Sequence, residues 1–460
     1  GIVAVGRKAL AALTSGAGNV AVGYQAGTAL TTGERNTILG YTALDAGTTE
    51  TDDNVAIGYG AMGGAIGTEQ VNDCVAIGSL ALAGALDSTD GADEASGTIA
   101  IGKSALGSLT SGEKNIAIGF GAADALGGAS GNVAIGYNAL GDTSSDSAHS
   151  NVAIGANAAS QMGAHASPDN VFIGKNSGSG DWGGACGYNV AIGSLTMDAV
   201  MNGANENVAV GHGALTELTS GDSNIAIGSG AGDAIEDASS MVLVGVNAGG
   251  AIDHTDAVGT VCVGEQAGAA ITSGIANMAI GYQALDACST SDYNTAVGHQ
   301  ALSAVTTGNG MNTAIGRVAG FTTSDGEYNT YLGASAGYSN ATGDKNTYVG
   351  THAGFGGGNN SNNVGVGYSA LYAVTTGASN TIVGKEAGIA LTTGSDNVAI
   401  GALAFDAANA GESDNVAIGS GAMSAVDEGQ NDSSGVANID HTIAIGKNAF
   451  MGGDLGDHND

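Results

Sequence analysis

Proline occurs once in 460 residues, at Pro168; aromatic side chains make up 4 %, and Lys plus Arg number 10 against 44 Asp plus Glu. A single proline beside 82 glycines excludes a polyproline spacer and collagen, which need proline throughout. The shortage of aromatics means that any interior is built from Ala, Val, Ile and Leu and is thin, yet a hydrophobic share of 43 % is too high for a disordered chain. A formal net charge of −34 repels nucleic acid and anionic lipid, so neither is an expected partner. No apolar run approaches the ~20 residues of a membrane helix, so no membrane insertion is expected. The four cysteines, Cys74, Cys186, Cys262 and Cys288, are scattered unlike a disulfide framework or a zinc site. They read as small apolar fillers, with a Cys262–Cys288 pairing between neighbouring units as the alternative. The chain opens at Gly1 almost directly on a repeat and without a signal-peptide pattern, as a mature or truncated piece of a longer protein would.

What is present is a cadence. Asn-Val-Ala-Ile-Gly, or a close variant, recurs in 25 units from Ile2 to Thr442, and 17 residues is the commonest spacing. Each unit must bury its apolar face on the next, so the repeat decides the architecture before any single residue does. The fifth position is Gly in all 25 units and the fourth is Ile, Val or Leu; the second is mostly β-branched. Alternation with β-branched content, closed by Gly, signals a strand. Seventeen residues are too few for a strand, a packed helix and two loops, so the expectation is two short strands and two bends. The eighth position is Ala in 23 units, and an aliphatic residue recurs at the twelfth, as at Leu30 and Leu391. Both read as inward residues of the second strand, facing positions two and four of the first. The predicted fold is all-β: a parallel β-solenoid, or β-roll, of about 25 coils. It is expected to run as a single continuous body over 1–460, with longer irregular coils at 54–97, 132–206 and 415–441. Stacking at ~4.8 Å per coil would make it roughly 120 Å long.

Asn opens 19 of the units. In-register stacking would line these amides into a ladder, each bonding those above and below; the alternative, a ligand-binding row, needs an outward projection. The third position is expected to point opposite to the second and fourth, hence outward, and it carries no charge in any unit: 17 are Ala. An apolar outer stripe is a packing surface, so Ala21, Ala56, Ala117, Phe172, Tyr331 and Tyr348 are the expected contacts between copies of the chain. Three parallel copies around one axis would bury that stripe symmetrically.

The unit Asn-Val-Ala-Ile-Gly followed by a turn and Ala-Leu resembles the head repeats of trimeric autotransporter adhesins, whose Ser-Val-Ala-Ile-Gly units wind a parallel β-roll in a three-chain bundle. Asn277-Met-Ala-Ile-Gly-Tyr-Gln-Ala-Leu285 resembles still more the shaft repeats of bacteriophage tail fibres. The likeness covers essentially the whole chain. It implies a homotrimeric extracellular fibre, although the 17-residue period is longer than that of the adhesin head, which leaves handedness open.

Chemistry is hard to find in the pattern. Eight His are spread from His149 to His458 with no metalloprotease spacing, and glycine-rich stretches such as Gly354–Gly358 lack the Lys and helix of a phosphate loop. No enzyme activity and no cofactor are therefore expected. Calcium is the one ion with candidates, at Asp427, Glu428 and Asp432, with further acids at Asp87, Asp90, Asp93, Glu94, Asp454 and Asp457. None of these has a recognised calcium-loop spacing, and a solvated acidic bend is the plainer reading. Recognition, if the chain performs it, belongs where the period breaks. There the only Trp, Trp182, stands beside Asp181 and could stack on a sugar ring, or plug a local defect in the stack. The function this implies is a viral tail-fibre shaft or similar surface filament giving rigid reach for attachment. A bacterial adhesin head binding glycan or matrix directly is the alternative; an ice-binding face, suggested by Thr-Thr pairs such as Thr31-Thr32, ranks last.

Overall fold

The computed structural model describes residues 1–47, 51–66, 71–86, 95–308, 310–407, 411–424 and 440–451. Among them all regular structure is β, in 25 strands of three residues each, from Val3–Val5 to Ile443–Ile445. The chain groups into two compact units, Gly1–Asp237 and Ala238–Asp460. In the first unit each strand pairs in parallel with the next, from Val3–Val5 to Ile225–Ile227. The second does the same from Val242–Val244 to Ile443–Ile445. Equivalent residues face each other throughout, as in Val190↔Val208 and Ala191↔Ala209, although the spacing between strands varies. Each unit is a parallel β-solenoid.

The strand ends after three residues because the fifth position demands glycine. Gly23 sits at φ +145, and a Cβ there would lie 2.1 Å from the carbonyl oxygen of Gly40 in the next coil. No L side chain fits such a conformation, and neighbouring coils close directly on it.

A second strand was expected and does not form. Positions seven and nine adopt left-handed backbone even where they are not glycine: Gln25 has φ 57, Leu44 φ 46 and Leu371 φ 54. Two such residues in three turn the chain too sharply to extend. The far side is a stack of tight turns, bonded coil to coil through backbone groups such as Leu10 N–H to Ala26 C=O at 3.0 Å and Ala12 N–H to Thr28 C=O at 3.2 Å. The residues expected inward on that side are indeed buried, Ala26 and Leu30 among them.

The inside and outside of the strand are the reverse of the expectation. Ala21, Ala56, Ala117, Phe172, Tyr331 and Tyr348, read as an outer stripe, are all 0 % exposed within the single chain. They cannot contact another copy. Positions two and four point out instead: Val20, Leu39, Ile118, Ile192, Ile315 and Ile400 are 37–47 % exposed. The reason is the period of two counted from the buried Asn: if position one is inside, position three is inside with it.

Position three meets position nine in the core, and the two exchange volume. In five coils a bulky position three faces glycine at position nine: Phe172 with Gly178, Leu243 with Gly249, Tyr331 with Gly337, Tyr348 with Gly354, Ile382 with Gly388. Ile38 departs from this, sharing its coil with Leu44 and taking its room from Gly27 of the preceding coil. Where position three is Gly365, position nine is Leu371. The interior is thus one side chain thick, and volume is balanced within a coil or between neighbouring coils, as where a Cβ on Gly320, opposite Ala314, would meet Leu302 and Tyr331 of the coils on either side.

The asparagines form the expected ladder. Asn36 donates from its backbone N–H and from Nδ2 to Asn19 Oδ1, at 2.9 and 3.1 Å, while Asn19 Nδ2 crosses the coil to the carbonyl of Gly33 at 2.7 Å. The same backbone-to-amide bond runs from Asn115 to Asn224 in the first unit. In the second it runs from Asn277 to Asn415. The side chains are buried and every one holds its own coil to its neighbour, which settles the row as structural rather than ligand-binding.

Candidate interaction surface

Inversion of the strand moves attention to its outward face. Positions two and four carry Val, Ile, Leu, Met or Thr in every unit and never a charge. Position six, just beyond the glycine, projects beside this face and gathers aromatic and cationic groups. Tyr24, Tyr41 and Tyr59 stack in sequence, with ring centroids 4.9 and 5.7 Å apart, and Arg7 caps the first ring at 5.9 Å. Phe120 stacks on Tyr137 at 5.7 Å with Lys103 over its other side at 5.5 Å. These contacts follow from register: identical positions one coil apart are held at stacking distance.

A second aromatic row lies on the turn side at position ten. Phe321, Tyr338, Phe355 and Tyr372 form one continuous stack at 5.2, 5.0 and 5.0 Å, with interplanar angles of 14°, 14° and 5°. His352 packs edge-on against Phe355 and Tyr372 at 5.4 and 6.2 Å. The sequence reading passed over this row, although a strict spacing of 17 residues marks it. Because the rings cover each other's faces, they offer solvent their edges rather than flat platforms for a sugar.

Trp182 is 2 % exposed, its indole N–H donates to the Gly178 carbonyl at 3.3 Å, and its ring meets Phe172 edge-on at 5.6 Å. It is the plug, not the sugar platform, while Asp181 beside it points to solvent, so the two form no joint ligand contact. Phe172 needs Gly178 to fit, and Trp182 closes the space that remains. Trp182→Ala should therefore destabilise the surrounding coils by about 3–5 kcal/mol, seen as faster amide exchange between Val152 and Ile192.

The cysteines behave as fillers. All four are buried and free, including Cys262 and Cys288, whose thiols burial pushes up to about 12. The calcium candidates Asp427, Glu428 and Asp432 lie outside the described residues, as do Asp87, Asp90, Asp93, Glu94, Asp454 and Asp457. Among the described residues no group of three or more His, Cys, Asp or Glu is placed to hold a metal ion, and no helix is long and apolar enough to cross a membrane.

Acids at position ten have their own signature. Burial raises the carboxyl groups of Asp45, Asp124, Asp198, Asp233, Asp286 and Asp406 above the ordinary value. In Asp286 and Asp406 the Oδ1 atom is buried without a hydrogen-bond partner. A folded carboxyl that holds its proton to higher pH than the unfolded one costs stability above its raised value. That cost disappears as pH falls through it, and nothing more is gained below the unfolded value near 3.8. Asp286→Asn should accordingly be the more stable form at pH 7, by about 1 kcal/mol given the partial exposure. The difference should close on acidification, as chemical denaturation at both pH values would register.

No protein-family model matches the chain, and no curated protein matches it.

Proposed function

We propose that the chain is a structural element of an extracellular fibre, a viral tail-fibre shaft or similar surface filament, and that it works as a homotrimer giving rigid reach for attachment. The observation that carries this reading is the coil-to-coil bonding within each unit. Neighbouring coils are joined on the strand side, on the turn side and through the interior asparagines, as where Asn329 N–H meets Asn312 Oδ1 at 2.9 Å and Gly320 N–H meets Ala336 C=O at 2.9 Å. Bending such a stack stretches hydrogen bonds on one side and compresses close-packed coils on the other, so it resists flexure.

Catalysis has no part in this reading, and neither has a cofactor. The support for self-association is the uncharged outward strand face, because a chain of net charge −34 approaches a like-charged copy most cheaply where it has no anions. Electron microscopy of the purified chain, with its mass measured by sedimentation, tests both parts. Narrow straight rods of three-chain mass are the expected result. Compact or freely bending particles would overturn the fibre, and single-chain mass would overturn the assembly.

A further inference from the structure

We infer that copies of this chain associate through the outward strand face with their solenoid axes parallel, the row before each interior Asn on one copy meeting the row after each Gly on the next. The inference rests on the self-association reading and adds the face and its direction. Each outward strand is bordered by two unlike rows. The row before the Asn carries six acids, including Asp53, Asp169, Glu206 and Asp396, against the cations Arg35, Lys114 and Lys345. Two of those cations are engaged within the chain, Arg35 with Asp53 at 2.6 Å and Lys114 with Glu113 at 2.8 Å. The row after the Gly holds Arg7, Lys103, Lys175, Arg317, Lys385 and Lys447, all exposed, against the single acid Glu265. That is six of the ten cations in the chain at one position of the coil, three in each unit. Among the described residues the one ion pair in this row is Lys385 with Glu386, at 3.6 Å.

These rows give the face a sense. A second copy rotated about the solenoid axis keeps every coil at its own level and sets the acid row opposite the cation row. A copy rotated about the strand direction inverts the axis and sets acid against acid. Exposed ion pairs are worth at most ~1 kcal/mol each, so the apolar face supplies affinity and the rows select orientation. Acid and cation share a level at the strand Val171–Ile173, with Asp169 on one side and Lys175 on the other, while Asp73, Asp396 and Asp414 stand one coil from Lys103, Lys385 and Lys447.

The test has two arms on the full chain. Ile173→Glu with Ile192→Glu alters two outward residues and is expected to reduce the wild-type oligomer to single-chain mass in sedimentation, with the circular dichroism spectrum and monomer melting preserved. Wild type that is itself monomeric would overturn the self-association reading. A wild-type oligomer that survives both substitutions would overturn only the face. In the second arm, chains carrying Asp169→Cys are mixed with chains carrying Lys175→Cys, unfolded and refolded together, and oxidised. Disulfide dimers that form in the mixture but in neither variant alone are expected, whereas dimers of the Asp169→Cys chain alone would overturn the parallel arrangement. Should the double Glu variant fail to fold, the cysteine arm decides alone, and no dimers in the mixture would overturn the inference.

Discussion

Replacing Asn346 with Ala should loosen the second unit by about 3–5 kcal/mol, one of the largest losses any single side chain in this interior can cause. The side chain holds four bonds at once. Its Nδ2 donates to Asn329 Oδ1 at 3.1 Å and to the Asn360 carbonyl at 2.8 Å; its Oδ1 accepts the Asn363 N–H at 3.0 Å and the Tyr348 hydroxyl at 3.4 Å. After truncation the Asn363 N–H and the Asn360 carbonyl are buried without partners, and each such orphan costs ~1–3 kcal/mol. Tyr348 is less affected, because its one hydroxyl proton goes chiefly to Asn360 Oδ1 at 2.6 Å and is only shared with Asn346 at the longer distance. Asn346→Asp separates the donor from the acceptor. It keeps the oxygen that serves Asn363 but presents a buried negative charge to the Asn329 amide oxygen and the Asn360 carbonyl. It should be worse than Ala at pH 7 and should recover as pH falls, because a protonated carboxyl donates where the amide did. Hydrogen exchange at Thr347–Val349 and Val364–Val366 reads the effect locally, as is needed where coils can open in sections. Equal protection in wild type and Ala variant would show that the ladder adds nothing to the stack.

The ladder is also the part of the fold that was legible from residues alone, and the reason shows why other parts were not. A buried Asn in register has one economical arrangement, so its recurrence could be read directly. The same fact contained the orientation of the strand, since position three must share the side of position one. The aliphatic residues at positions two and four outweighed it, because β-branched residues are ordinarily taken as core. The period of two from the buried Asn puts Ala21 or Ala226 inside and Val20 or Ile227 outside whatever their size, since Phe172 and Tyr348 fill the same interior position. The absent second strand was hidden differently. Left-handed backbone at Leu44, Gln283 or Met423 is a conformation that such residues rarely choose, and only the stacking of neighbouring coils imposes it. Trp182 lay open to both readings because its neighbours in the fold, Phe172 and Gly178, come from the strand and the turn of the same coil. The row Phe321, Tyr338, Phe355 and Tyr372 was written plainly in the spacing and needed only to be looked for.

Volume exchange between strand and turn leads to the second large effect. Gly354→Leu should destabilise the unit by at least about 3 kcal/mol. Leu is acceptable to the backbone, since Leu371 holds the same position one coil on with nearly the same φ, 54° against 58°. Space is what is missing: a Cβ on Gly354 would lie 2.3 Å from the Tyr348 ring, and overpacking of a tight core costs ~1–3 kcal/mol before backbone shifts are added. Tyr348→Ala should cost about 3–5 kcal/mol by opening a cavity and leaving Asn360 without its hydroxyl partner. The double variant, with Ala at position three and Leu at nine, reproduces the pairing of Ala279 with Leu285 and Ala296 with Leu302. Its loss should be smaller than that of either single change, a coupling of several kcal/mol where independent sites would simply add. Asn360 sets the limit to recovery, because its amide then lacks Tyr348, so a third substitution, Asn360→Gly, should bring the set closer to wild type by matching Gly274 and Gly377 at the equivalent turn position. A thermodynamic cycle measured by hydrogen exchange across Tyr348 and Gly354 decides the matter. Additive losses would mean that the two positions do not share one space, and that volume exchange between strand and turn does not govern this coil.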